Sequence, residues 1–98
     1  KELNSDFYSN FWLTTIVINQ KHSNTTSEKL RLEFEKENIE TRPLWKPMHI
    51  QPIFEKYPKY LNGVSEKLFQ NGLCLPSGSN LTENDKERIS EVIIKNLK

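Results

Sequence analysis

The sequence predicts an α+β domain, a two-layer sandwich in which three short strands and three helices share one core. Residues 11–19 are rich in β-branched and aromatic side chains, whereas three later segments place apolar side chains at helical spacing. Prolines and turn-forming residues separate these segments. Strands and helices mixed along one short chain favour helices packed on an antiparallel or mixed sheet, and parallel pairing of the first two strands stays open.

The first strand and the first helix are predicted from the most regular patterns. Residues 11–19, Phe-Trp-Leu-Thr-Thr-Ile-Val-Ile-Asn, contain no glycine or proline and predict a well-buried strand. After a polar loop, Thr25 and Glu28 have the spacing of a capping box that opens a helix. Leu30 and Phe34 lie four residues apart, so we expect both to face the core.

A second strand and a proline-rich segment follow the first helix, which we expect to end near Asn38. Residues 39–45 predict a strand that Pro43 confines to a sheet edge or ends early, because proline has no N–H for the ladder. Four prolines between residues 43 and 58 exclude a long regular element there. The apolar side chains of this proline-rich segment include Trp45, Met48, Ile50, Ile53, Phe54 and Tyr57. A loop with so many apolar side chains is expected to pack over another part of the protein.

A short helix and a short strand come next. Val64, Leu68 and Phe69 predict an amphipathic helix, and Gly72 stands where a left-handed C-cap residue is expected. Residues 73–75 then predict a strand ended by Pro76.

The last helix is predicted from its cap and its apolar face. Residues 77–80, Ser-Gly-Ser-Asn, form a turn, and Thr82 with Asp85 three residues later has capping spacing. The residues expected on one face of this helix are Ile89, Val92, Ile93 and Leu97. The turn offers hydroxyl and N–H groups for a sugar or phosphate, but a capped helix requires the same residue types.

Composition excludes several classes of function. The 98 residues suit one domain, residues 1–98, with a net charge of +1 from interspersed lysine and glutamate, so nucleic acid is a poor partner. Apolar runs are far shorter than the roughly 20 residues that span a bilayer, so no membrane insertion is expected. Cys74 is the single cysteine, which excludes an internal disulfide and fits a reducing cytoplasm. The chain begins at Lys1 without methionine, so we expect a fragment of a longer protein.

No catalytic constellation is evident in the sequence. A Cys74–His49 pair is conceivable, but flanking leucines favour a buried, inert thiol. Two histidines and one cysteine, widely separated, are too few for a zinc site, and the three glycines form no phosphate loop. The aromatic side chains at 7, 8, 11 and 12 lack the basic surroundings of a base-stacking surface, which favours a core role.

The proline-rich segment carries the best candidate for ligand binding. His49 lies near Trp45, Lys46 and Met48, so an imidazole, a cation and an aromatic face come together, as suits an anionic or sugar-like ligand. The alternative is that His49 only hydrogen-bonds a nearby backbone carbonyl. His22 lies in a polar loop and is expected to be solvated.

Two stretches resemble one enzyme family. Residues 42–51, Arg-Pro-Leu-Trp-Lys-Pro-Met-His-Ile-Gln, resemble a signature of the DegT/DnrJ/StrS family of pyridoxal-phosphate-dependent sugar aminotransferases. Residues 71–82, Asn-Gly-Leu-Cys-Leu-Pro-Ser-Gly-Ser-Asn-Leu-Thr, are similar to the family's C-terminal segment, and residues 11–19 to the strand that opens its small domain. The resemblance therefore extends from about Phe11 to the end of the chain.

The resemblance implies the small C-terminal domain of an aspartate-aminotransferase-like (fold type I) enzyme. It implies a homodimeric cytoplasmic enzyme that transfers an amino group, from glutamate, to a nucleotide-linked keto-sugar. The family's loop reaches the substrate side of the cofactor, which makes His49 the first substrate-binding candidate and Trp45 and Lys46 the next. Arg42 or Lys46 would offset phosphate charge, although Arg42 has an equally good structural interpretation beside Pro43.

The resemblance also implies what these 98 residues lack. Pyridoxal 5'-phosphate needs a Schiff-base lysine, an acid on the pyridinium nitrogen and a phosphate cradle, which in this family belong to the large N-terminal domain. We therefore expect no catalytic residue, no bound cofactor and no metal in this chain, and no activity from it alone. The alternative is a stand-alone α+β interaction or regulatory module that binds a peptide or small ligand through the aromatic loop.

Overall fold

Strands and helices follow one another in the predicted order. The computed structural model describes residues 6–97, and the statements on structure below concern that part of the chain. The elements are β1 (Thr15–Val17), α1 (Ser27–Lys36), β2 (Arg42–Pro43), two 3-10 helices (Met48–Ile50 and Pro52–Phe54), α2 (Val64–Asn71), β3 (Gly72–Cys74) and α3 (Glu83–Leu97). Three helices with a three-stranded sheet confirm the α+β class.

The described sheet is antiparallel, with strand order β1-β3-β2. The central strand β3 pairs Leu73 with Ile16 on one side and with Pro43 on the other. All three residues of β3 are buried. In this order β3 lies between β1 and β2, so the first two strands of the chain do not pair with each other. The parallel pairing that the sequence left open is therefore absent. Pro43 lies on an edge strand, as its missing N–H predicts.

The core lies between the sheet and the helices α1 and α3. Leu30 and Phe34 of α1 are completely buried, which confirms the prediction that both face inward. The other buried core residues are Ile18, Ile39, Leu73 and Val92, with Ile16, Leu75, Ile89 and Ile93 packed against them. By contrast, α2 contributes no buried residue, and both Val64 and Leu68 are exposed.

The prediction of a well-buried strand over residues 11–19 is wrong in both length and burial. Phe11 has a left-handed φ of 51°, and Phe11 and Trp12 are exposed. Phe7 and Tyr8 are exposed as well, so the predicted core role of these four aromatic residues is also wrong. The amides of Phe11 and Trp12 donate to the Ser9 hydroxyl and the Asn10 side chain, so local side-chain bonds replace a strand ladder. Only residues 15–17 pair with β3, and Val17 points away from the core.

Two predicted caps differ from the structure. Helix α1 begins one residue later than the Thr25 box predicts, because Thr26 is the N-cap and accepts from the Lys29 amide at 3.2 Å. Glu28 instead pairs with Arg31 on the helix surface. Gly72 is not a left-handed cap: its φ of −95° and ψ of 155° are extended, and it is the first residue of β3.

The predicted cap of α3 is present. The Thr82 amide donates to Asp85 Oδ2 at 2.9 Å, and the Asp85 amide donates back to the Thr82 hydroxyl at 3.2 Å. This reciprocal pair satisfies amide groups that the first turn of a helix leaves without intrahelical partners.

Candidate functional site

The proline-rich segment forms two single turns of 3-10 helix. Pro47 precedes the first turn, and Pro52 begins the second. Prolines at these positions supply a suitable φ but no N–H, so the segment cannot continue as an α-helix. Its apolar side chains are left largely uncovered: Trp45 is 67% exposed, and Met48 and Ile53 are similarly exposed.

His49 is held in the first 3-10 turn by a carboxylate from α2. Its Nε2 lies 2.6 Å from Oε1 of Glu66, seventeen residues along the chain. The His49 side chain is only 13% exposed, and that of Glu66 is 38% exposed. The partner of Nε2 is thus an acidic side chain and not the backbone carbonyl that the structural alternative named.

Trp45 and Lys46 lie beside His49 in the chain but at the surface. The Trp45 ring contacts Trp12, with ring centroids 6.1 Å apart and an interplanar angle of 46°. Lys46 is exposed, and its carbonyl accepts from the Gln51 side chain at 2.9 Å. The two side chains therefore offer an aromatic face and a positive charge to a ligand at the surface of the proline-rich segment.

Arg42 lies apart from these three residues, on the edge strand β2. Its side chain is exposed and forms an ion pair with Glu40, so part of its charge is already offset. Arg42 lines an open depression of about 430 Å³ together with Ser77 and Arg88. Trp45, Lys46 and His49 do not line this depression, so the structure does not bring Arg42 into one cavity with them.

The turn at residues 77–80 has a structural use for its first hydroxyl. Ser77 Oγ accepts from the Thr14 amide at 2.8 Å and donates to the Leu75 carbonyl at 2.9 Å. These bonds tie the segment before β1 to the segment after β3. They favour the structural interpretation of this turn over a ligand-binding one.

The described lysines do not fit a Schiff-base site. A pyridoxal lysine has to project into an enclosed site beside an acid and a phosphate cradle. Every lysine within residues 6–97 is exposed, and Lys36 and Lys86 pair with glutamates on their own helices. Cys74 is buried, as its leucine neighbours predict.

Neither a metal cluster nor a membrane span is found in the described part of the chain. Within residues 6–97, His, Cys, Asp and Glu side chains do not gather in threes as a metal ion would need. None of the described helices combines the length and apolarity required to cross a bilayer.

The chain belongs to the DegT/DnrJ/EryC1/StrS aminotransferase family, whose sequence profile matches residues 2–94. The family predicted from residues 42–51 and 71–82 is thereby confirmed. It is 42% identical over 90 residues to a protein of Bacillus subtilis described as "Putative pyridoxal phosphate-dependent aminotransferase EpsN", covering 88% of this chain and 22% of that protein. It is also 32% identical over 79 residues to the GDP-perosamine synthase of Caulobacter vibrioides, covering 81% and 21%.

Solved structures agree with this assignment. A DegT DnrJ EryC1 StrS aminotransferase from Brucella abortus is similar with a TM-score of 0.70 and 27% identity, over 87% of this chain and 22% of that one. Helicobacter pylori PseC, an aminotransferase of pseudoaminic acid biosynthesis, shares the fold with a TM-score of 0.73 and 17% identity. This match covers 87% of this chain and 23% of that one. The chain thus spans about a fifth of the length of the relatives it matches.

Sequence reasoning did not find Glu66. Nothing in the local pattern distinguishes it from the chain's other glutamates, since it lies in the polar part of a short amphipathic helix. Only the fold brings it to His49, because the intervening segment folds back onto α2.

Proposed function

We propose that these residues are the small C-terminal domain of a longer, aspartate-aminotransferase-like enzyme that uses pyridoxal 5'-phosphate. Its reaction would transfer an amino group from glutamate to a nucleotide-linked keto-sugar. Family membership and a relative named GDP-perosamine synthase support this class of reaction. The observation that carries the site is the largely buried His49, fixed in a loop whose neighbouring side chains Trp45 and Met48 are exposed.

His49 would contact the sugar, with Trp45 and Lys46 beside it. The Trp45 ring offers a packing face for the sugar or base, and the exposed Lys46 offsets phosphate charge. Arg42 remains a proposal for the phosphates, although its pairing with Glu40 favours the structural interpretation.

The cofactor would be held by residues outside this chain. The exposed lysines within residues 6–97 support that division, and we expect the 98-residue chain alone to be inactive and to lack the absorbance of a pyridoxal Schiff base. A homodimeric, cytoplasmic enzyme remains the prediction for the intact protein. A gene whose reading frame begins near Lys1 would instead favour the stand-alone interaction module.

The test is to change His49→Asn in the full-length enzyme. Loss of one hydrogen bond to the sugar is expected to lower kcat/KM for the keto-sugar about tenfold. The half-reaction with the amino donor should be unchanged, because the donor reacts without the nucleotide-sugar.

The matched control is His22→Asn, which alters an exposed histidine in the loop before α1. This variant should keep wild-type kinetics with both substrates. Unaltered sugar kinetics in His49→Asn would remove the basis for the proposed site.

A further inference from the structure

The contact between His49 and Glu66 has a role beyond that of His49 itself. The 2.6 Å separation joins the proline-rich segment to α2. Within the described residues, the other hydrogen bonds of residues 45–61 stay inside that range, such as Gln51 to the Lys46 carbonyl and Lys59 to the Glu55 carbonyl. Among these bonds, the contact with Glu66 is the one that fixes the His49 ring from α2.

The chemistry of the contact fixes which ring nitrogen is used. An ionised carboxylate only accepts hydrogen bonds, so the His49 nitrogen facing Glu66 has to carry the proton. In the neutral ring the proton is then on Nε2, and Nδ1 is left as an acceptor. The second nitrogen's task is set by the bond that the first one makes.

Burial and the contact with α2 together restrict the orientation of the His49 ring. The His49 ring is mostly enclosed, whereas α2 is a regular element that places Glu66 from the side of the domain. A ring on a single 3-10 turn would otherwise rotate among several orientations. Restricting it in advance avoids an ordering cost when a ligand binds.

We propose that Glu66 is a positioning residue that holds the His49 ring in one orientation, with Nδ1 accepting a hydrogen bond from a hydroxyl of the keto-sugar. This role rests on the proposed function, since it requires His49 to contact the sugar. Glu66 itself does not touch the substrate.

The experiment compares two variants of equal side-chain length in the full-length holoenzyme. Glu66→Gln keeps an acceptor oxygen for Nε2–H, whereas Glu66→Met keeps the bulk and loses the acceptor. Glu66→Met is expected to raise the KM for the nucleotide-sugar about three- to tenfold, and Glu66→Gln to restore most of it. The KM for the amino donor and the melting temperature should stay at the wild-type values in both.

A spectroscopic measurement reports the ring directly. In enzyme labelled with ¹⁵N-histidine, the Nε2–H signal of His49, identified by its absence in His49→Asn, should persist in Glu66→Gln and disappear in Glu66→Met. Glu87→Gln, on the exposed face of α3, is the control that changes a carboxylate without a described partner and should alter neither measurement.

The outcomes separate the two proposals. If Glu66→Met leaves the sugar KM and the ring signal unchanged while His49→Asn raises that KM, Glu66 has no positioning role and the substrate contact stands. If the donor KM and the melting temperature change as much as the sugar KM, the role is structural and the inference is overturned. If His49→Asn is also without effect, the proposed substrate site itself is wrong.

Discussion

Position 72 requires glycine because the surrounding atoms leave no space for a side chain. A Cβ built at this position would lie 2.2 Å from Leu44 Cδ1 and 2.6 Å from the Leu68 carbonyl oxygen. Real contacts are never so short, and the second one involves the backbone of α2, which cannot rotate away. The absence of a side chain therefore lets α2 and the start of the proline-rich segment pack closely on β3.

Gly72→Ala is therefore expected to destabilise the 98-residue chain. Overpacking of this kind costs about 1–3 kcal/mol. For a domain of this size, each kcal/mol corresponds to a decrease of about 4–8 °C in Tm, measured by thermal unfolding. Gly78→Ala is the matched control, because its new Cβ would meet only the end of the Asn80 side chain. Equal melting temperatures for the two variants would contradict the close packing of Leu44 and α2 on the strand.

Single residues differ in how far the sequence reveals them. Cys74 is predictable as buried because its leucine neighbours mark an apolar strand. His49 is a candidate because prolines, aromatic residues and a cation surround it in the chain. Its partner Glu66 and the close approach at Gly72 depend on segments that meet only after folding. No pattern within a few residues encodes either contact.

The start of α3 makes its stability depend on pH. The Thr82 hydroxyl, and then the Thr82 amide, donate to the Asp85 carboxylate and hold the pKa of Asp85 below its ordinary value of 3.8. The pKa of Asp85 is lower in the folded chain than in the unfolded chain. Between these two pKa values the unfolded chain therefore binds more protons than the folded chain does. The contribution of Asp85 is thus fully present above pH 3.8 and is lost as the pH falls through the folded pKa.

Thr82→Ala is expected to weaken this pH dependence, because the hydroxyl that caps the helix and lowers the pKa of Asp85 is lost while the Thr82 amide still donates. At neutral pH the loss of the cap should cost about 1 kcal/mol. Below pH 4 the plot of unfolding free energy against pH should become flatter than in the wild type, and Asp85→Asn should flatten it likewise. Urea unfolding at a series of pH values measures both effects. Ser90→Ala, which removes a hydroxyl from the middle of α3, should give a curve parallel to the wild type, and a parallel curve for Thr82→Ala would disprove the linkage.

Helices were predicted more accurately than strands, for a physical reason. A helix is specified by nearby residues, so the spacing of Leu30 and Phe34 and the pair Thr82 and Asp85 identify two of them. A strand exists only where a partner pairs with it. The apolar residues 11–19 suggest nine strand residues, but β3 offers only three to pair with. The Ser9 and Asn10 side chains accept from the amides of Phe11 and Trp12, so these two amides take local partners outside the ladder.

Several large apolar side chains that the core does not use are exposed in the described part of the chain. They include Trp12, Trp45, Met48, Ile53 and Tyr57, with Val64 and Leu68 of α2. Exposed apolar side chains that lie together mark interaction surfaces, and the Trp12 and Trp45 rings are in contact. The relatives are about four times as long as this chain, so the occupant we expect is the rest of the same polypeptide.

Covalent footprinting tests whether these exposed apolar side chains are covered in the intact protein. Hydroxyl radicals should modify Trp45 readily in the 98-residue chain, where two-thirds of its side chain is accessible. In the full-length polypeptide, modification of Trp45 should decrease several-fold, because the large domain would enclose the loop beside the sugar. Mass spectrometry of the two digests gives the comparison, and Phe34, which is completely buried, should be protected in both and so verify folding. Equal modification of Trp45 in the two proteins would show that the loop forms no pocket with residues outside this chain, and it would contradict the proposed substrate site.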